Sequence, residues 1–224
     1  MMAPERGVAA SDGHDSGAGA AFSLARLAAL LVFQRNEEAA GAIRELRADG
    51  TGREAVREAI LQTYLHDGYP TALEGMILLG DVWPGDPAPV EEGDYGNWEE
   101  WDRRGRELYE RIYGSVAEPL RSKVDSLSPE LARWMIVEGY GKVLSRGVLA
   151  DTTRELISVA VLASKARLRQ LHSHLRGALR VGCDSAVLDK LLRLIVALLG
   201  PGEGEKVLRL WDDLQQGKGG DTRL

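Results

Sequence analysis

At 224 residues, with 44% hydrophobic and 28% charged side chains, the chain can bury a sizeable core and matches neither a disordered polymer nor a membrane bundle. A formal net charge of −6 argues against general nucleic-acid binding. One cysteine, Cys183, forbids an internal disulfide and every CxxC chemistry; with no basic-apolar-small leader at the start, this points to a cytoplasmic protein without a membrane partner.

Residues 1–20 are rich in Gly, Ala, Ser and Asp without apolar periodicity and are expected to form a disordered tail. From Phe22 onward apolar residues recur every three or four positions, as in Ala39, Ile43 and Leu46, which predicts helices near 22–34, 37–48, 53–66 and 70–80. The interval 81–100 then holds seven acids (Asp81, Asp86, Glu91, Glu92, Asp94, Glu99, Glu100), no Lys or Arg, and Pro84, Pro87 and Pro89. Such a segment cannot propagate a helix, and 82–97 reads as an acidic linker between a first unit, 21–81, and a second, 98–217. Beyond it helices are predicted at 98–113, 115–125, 129–145, 152–163, 167–180, 185–199 and 202–216. Period-two alternation is sustained nowhere, so the fold class is all-α.

Punctuation agrees with this map. Gly50, Gly68, Gly80, Gly114, Gly182 and Gly200 each close an apolar run, where a left-handed residue is expected. Ser128-Pro129 and Asp184 mark helix starts, and Pro201 can open the last helix. An ungapped shift of 132 residues superposes Gly50 on Gly182, Gly68 on Gly200 and Arg44 on Arg176, which suggests a tandem duplicated helical unit.

Chemistry concentrates in 152–180. Glu155 and His174 could form an orienting pair, yet on one straight helix they would stand about 28 Å apart. They meet only if the chain turns back near Ser164-Lys165-Ala166-Arg167, which holds neither Gly nor Pro. The competing role for Glu155 is the capping box Thr152-x-x-Glu155. His174 is either a satisfied interior histidine or a general acid–base near neutral pH. His172 stands about 200° from His174 around a helix, and no His/Cys/carboxylate cluster has ligand spacing, so neither a metal nor another cofactor is expected. Lys165, Arg167, Arg169, Arg176 and Arg180 meet no acid, which fits either a solvated face or an electrostatic lure for a small anion. Cys183 reads as a small buried hydrophobe, Tyr140, Tyr109, Tyr113 and the Trp98 and Trp101 pair as packing anchors with polar tips, and His66 as a helix C-terminal cap.

Three runs carry a family likeness: Tyr140-Gly141-Lys142-Val143-Leu144-Ser145-Arg146-Gly147-Val148-Leu149, Thr153-Arg154-Glu155-Leu156-Ile157 and His174-Leu175-Arg176-Gly177-Ala178-Leu179. Together they resemble the core of the carboxymuconolactone decarboxylase family, which includes alkylhydroperoxidase D-like proteins. The run from Arg104 to Gly114 looks like the family's opening helix, and Ala59 to Glu74 is similar to its closing helix pair. The resemblance implies an alkylhydroperoxidase D-like helical bundle in two divergent copies, a homo-oligomer (trimer or hexamer), and a pocket at a subunit boundary. The cysteines of the thiol branch would fall at Arg167 and Gln170, so thiol peroxidase chemistry is not expected. Ala42 occupies the place in the first copy that His174 holds in the second, so one pocket per chain, completed by both copies, is expected.

Two readings follow. One is decarboxylation or lactone processing of a small anionic acid, with His174 as proton donor and Glu155 orienting it. Arg146 or Arg176 would clamp the anion, with Tyr140 and His66 as further binding residues. Arg176 lies two positions from His174, which favours Arg146. The other reading is a non-catalytic helical oligomer that binds a small molecule or a partner.

Overall fold

The computed structural model describes residues 13–85 and 95–217. Among them every regular element is helical. The helices are α1 (Gly13–Val32), α2 (Asn36–Ala48), α3 (Arg53–Asp67), α4 (Tyr69–Val82), α5 (Trp98–Tyr113), α6 (Ala117–Leu127), α7 (Pro129–Trp134), α8 (Asp151–Ser164), α9 (Leu168–Arg180), α10 (Ser185–Val196) and α11 (Pro201–Gln215). The linker 82–97 is only partly described: Val82 ends α4, a 3₁₀ turn spans Tyr95–Asn97, and 86–94 lie outside the described residues.

The caps do what their residue types allow. Ser128 Oγ accepts the Leu131 N–H at 3.2 Å, and Asp184 Oδ1 accepts the Ala186 N–H at 2.7 Å. Gly50, Gly68, Gly114 and Gly182 take positive φ, whereas Gly80 lies inside α4 and Gly200 caps α11 from an extended conformation. The first helix reaches back to Gly13, so 13–20 are helical where the sequence suggested a tail; residues 1–12 lie outside the described residues. The element expected over 129–145 is two: α7 continues into a π-helical segment, Met135–Leu144, closed by Ser145 N–H donating to Tyr140 O at 2.8 Å.

The core joins both ends of the chain. Leu24, Leu27, Ile43 and Ile60 share one hydrophobic cluster with Ile157, Val159, Leu171, Leu188 and Leu192. α1 and α8 pack together at its centre, and every residue from Thr153 to Ser164 is buried. A helix buried on all sides belongs in the middle of a bundle, where each face has a partner, and its Arg154, Glu155 and Ser158 must find polar partners there. A smaller cluster joins α5 and α6 to the π segment through Leu108, Ile112 and Leu144. There backbones touch: a Cβ at Gly141 would lie 1.9 Å from the Trp101 carbonyl oxygen, and one at Gly105 2.2 Å from that of Ile136.

Helices α1–α4 and α8–α11 correspond at one offset. Asn36, Arg53 and Tyr69 open α2, α3 and α4 as Leu168, Ser185 and Pro201 open α9, α10 and α11, each 132 residues further on. The bends match in detail. Gln34 (φ 56°) and Ala166 (φ 48°), the two non-glycine residues with left-handed φ among those described, occupy the same place in the α1–α2 and α8–α9 hairpins. Arg35 N–H donates to Leu30 O and Arg167 N–H to Leu162 O in the same pattern. A sharp turn without Gly costs about 1–3 kcal/mol at such a residue and persists because the packed helices on either side fix it.

Candidate active site

The turn at Lys165–Arg167 folds α9 back along α8 and sets His174 Nδ1 3.0 Å from Glu155 Oε2. Both side chains are buried, and the space for the carboxylate exists because residue 177 is glycine: a Cβ there would stand 2.9 Å from Glu155 Oε2 and 2.6 Å from Ile112. The capping box does not form. Ala150 is the N-cap of α8 without a side-chain cap bond, and Glu155 turns inward to the imidazole. A carboxylate only accepts, so the His174 proton in this bond sits on Nδ1 and Nε2 is left without a protein partner among the described residues. Glu155 Oε1 is also buried and unpartnered.

His174 lines a cavity of about 570 Å³ with His66, Tyr64 and Leu65 from α3, Glu138, Tyr140 and Leu144 from the π segment, and Gln170 from its own helix. Leu131 and Trp134, each 55% exposed, border it on the α7 side. The cavity thus draws residues from both halves of the chain. Widening the helix by about a residue per turn in the π segment accompanies Met135, Glu138, Gly139, Tyr140 and Leu144 all lining one wall.

His66 is no cap. Its Nε2 lies 3.1 Å from Ser158 Oγ on α8, its ring centre 5.3 Å from that of His174, and burial, then the neighbouring imidazole, lower its pKa to about 3. Tyr140 is both packing anchor and cavity wall, with its hydroxyl 2.7 Å from that of Tyr113. Burial holds both phenols well above the ordinary tyrosine range, with the Glu155 charge adding to it. The Tyr64 hydroxyl donates to Glu138 Oε2 at 3.2 Å.

Arg146 does not face the cavity. Its guanidinium grips Glu58, Nε at 2.9 Å from Oε2 and a terminal nitrogen at 2.9 Å from Oε1. Arg154, also buried, meets Glu58 Oε2 at 2.7 Å, and Arg57 meets Oε1 at 2.8 Å. Burial alone would raise the Glu58 carboxyl; hydrogen bonds from Arg146 and Arg154, and their charges, bring it below its ordinary value. Arg176 is half-buried on the face away from the cavity, beside His172, whose pKa is lowered by burial and by that guanidinium. Among the described residues no Lys or Arg side chain lines the cavity. The rest of the basic run lies on the surface, where Lys165 pairs with Asp67 at 2.8 Å.

Cys183 is buried, its thiol 3.4 Å from Thr152 O and pushed up to about 12 by burial and by Glu155, which disfavours a thiolate. Of the two places matched to the thiol branch's cysteines, Gln170 borders the cavity and Arg167 caps α9 outside it. Among the described residues no group of three His, Cys, Asp or Glu could hold a metal ion, and no helix is long and apolar enough to cross a membrane. Sequence reasoning missed Glu58, Gln62, Ser158, Tyr64 and Glu138, whose partners lie about 70 to 100 positions away and leave no local signature.

Residues 129–213 match the profile of the carboxymuconolactone decarboxylase family. The chain is also similar to peroxisomal protein 2 of Saccharomyces cerevisiae, 26% identical over 168 residues, covering 63% of this chain and 59% of that protein. With peroxisomal protein 2 of Schizosaccharomyces pombe it is 28% identical over 132 residues, 57% of this chain and 60% of that protein. The chain thus spans about three fifths of the length of these curated relatives.

Proposed function

We propose that the chain is a carboxymuconolactone decarboxylase-like protein that binds one small molecule in the Glu155–His174 cavity and transfers a proton through His174. The observation that carries this reading is the buried hydrogen bond from His174 to Glu155, which leaves Nε2 as the atom open to a ligand. Glu155 fixes the tautomer and stabilises the imidazolium that forms when His174 takes a proton. The constant offset between α1–α4 and α8–α11 supports descent of the two halves from one duplicated unit, with the second retaining the chemistry.

The anionic lactone or keto acid suggested by the family likeness lacks a cationic clamp on the cavity wall, because Arg146 is engaged by Glu58. Proton transfer does not need that clamp, so the reading keeps the acid–base step and releases the charge requirement. The thiol-peroxidase branch is left with only the high-pKa thiol of Cys183. A homo-oligomer is supported by Tyr69, Leu73 and Ile77, spaced four apart on α4 and 72%, 61% and 51% exposed. The peroxisomal naming of the relatives and the lone cysteine both suit a reducing compartment, cytosolic or peroxisomal.

The test is proton release or uptake across a panel of lactones, β-keto acids and neutral ketones, with His174→Ala as control. The proposal expects turnover that falls about 100-fold or more in the variant. Equal rates in both proteins remove His174 as the proton-transfer group.

A further inference from the structure

We infer that His66 is a second catalytic group of the same cavity, a neutral hydrogen-bond donor through Nδ1, and that the pair His66–His174 suits enolisation of an uncharged carbonyl compound. This rests on the proton-transfer reading of His174 and extends it to a residue of the first half of the chain.

The proton positions follow from one group that can only donate. Arg154, buried behind the cavity, donates to Gln62 Oε1 at 3.3 Å, which fixes the orientation of that amide. Gln62 Nε2 therefore supplies both of its hydrogens outward, to Arg154 O at 2.7 Å and to Ser158 Oγ at 3.0 Å. Ser158 Oγ, having accepted from Gln62, still has its own proton to place. The partner within reach is His66 Nε2 at 3.1 Å. Nε2 thus accepts, and the ring proton of neutral His66 resides on Nδ1.

The groups that face the imidazole are Ser158 and His174; the adjacent Asp67 is taken by Lys165 and Thr71, and Glu138 by Tyr64. Opposite it, His174 has its proton on Nδ1 toward Glu155 and a bare Nε2. One cavity therefore holds a base and, beside it, a donor that stays neutral. Its walls are mainly apolar and aromatic and, among the described residues, carry no Lys or Arg, which fits a ligand recognised by a carbonyl oxygen and not by net charge.

The step balances without an oxidant or co-reactant. His174 Nε2 takes a proton from the carbon next to the carbonyl, the C–H electron pair forms a C=C bond, and the carbonyl π pair moves onto oxygen. The His66 Nδ1–H hydrogen-bonds that oxyanion, and return of a proton from His174 to carbon completes exchange or isomerisation.

Two measurements on the full chain test this. Long-range proton–nitrogen NMR of nitrogen-15 histidine, assigned with His66→Phe and His174→Ala, reports each tautomer. His66 is expected as the Nδ1–H form, unchanged from pH 8 to 5, and Ser158→Ala is expected to mix its tautomers. An Nε2–H form, or protonation of His66 near its ordinary pKa, overturns the inference. Deuterium exchange of the α-protons of cyclohexanone and acetophenone is then followed in D₂O. Exchange above buffer is expected to fall about 100-fold in His66→Phe and to be lost in His174→Ala. Loss in His174→Ala with full retention in His66→Phe overturns the role of His66 alone. Retention in His174→Ala overturns the underlying reading, and no exchange of either ketone overturns the carbonyl assignment.

Discussion

Two sets of positions related by the 132-residue offset differ: one is a buried polar cluster beside the cavity, the other lies nearer the surface. Between α3 and the α8–α9 hairpin lie Glu58, Gln62, His66, Arg154, Glu155, Ser158 and His174. The positions related to them by the 132-residue offset are Lys190, Leu194, Leu198, Phe22, Ser23, Arg26 and Ala42. The buried Glu58–Arg154 ion pair has as its counterpart the Lys190 ammonium, 4.8 Å from the Phe22 ring centre. At the place of Gly177, which makes room for the Glu155 carboxylate, the first hairpin has Glu45, paired with Arg26 at the surface. The same backbone arrangement therefore holds a buried polar cluster in one half and, where those residues are replaced, apolar and surface side chains in the other.

The largest effect that sharpens this contrast is expected at Glu58. Glu58→Gln leaves Arg146 and Arg154 without their anion and should cost about 3–5 kcal/mol in urea unfolding. Lys190→Ala, at the corresponding place, should cost about 1 kcal/mol or less. Comparable losses at both sites would erase the distinction. Gly177→Ala should cost about 1–3 kcal/mol and part His174 from Glu155, because the new methyl would press on Glu155 and Ile112. Glu45→Ala removes an exposed pair and should stay within about 0.5 kcal/mol.

Acid adds a test of its own. The pKa of His66 falls from 6.5 unfolded to about 3 folded, so between those values the unfolded chain binds the extra proton. Stability from this group is complete above pH 6.5 and is lost as pH falls, at about 1.4 kcal/mol per pH unit through the middle of that window. Glu58, with its pKa depressed, contributes in the same sense only below its ordinary value of 4.5. His66→Phe should flatten the pH 6.5 to 5 portion of a chemical-denaturation series and leave the lower portion. A steep slope persisting in that variant would assign it elsewhere. The smallest effect is a gain: Gly41, in the interior of α2 with open space around its Cα, should yield about 0.5–1 kcal/mol on Gly41→Ala in thermal unfolding.

Much of the helical frame was legible because it is written locally. Trp98–Tyr113 lies where the apolar spacing put it, and Ser128, Asp184 and Pro201 open helices by their own chemistry. The meeting of Glu155 and His174 followed once a bend near Lys165 was admitted, but the bend itself uses Ala166 in a left-handed conformation that composition does not announce. The π segment stayed hidden because one added residue per turn barely alters an apolar pattern over ten positions. Arg146 reads as a ligand clamp in the sequence because its partner, Glu58, stands 88 positions earlier on α3 and meets it only once the helices pack.

Proton transfer as proposed requires Glu155 to hold His174 with Nε2 as a base toward the cavity. The most direct measurement is the ratio of ketone α-proton exchange rates in wild type and Glu155→Gln. A glutamine side chain can present an N–H to Nδ1, which would move the imidazole proton to Nε2 and remove the base. The account predicts a fall of about 100-fold or more with the fold intact by circular dichroism. A folded Glu155→Gln protein that exchanges at the wild-type rate would contradict it.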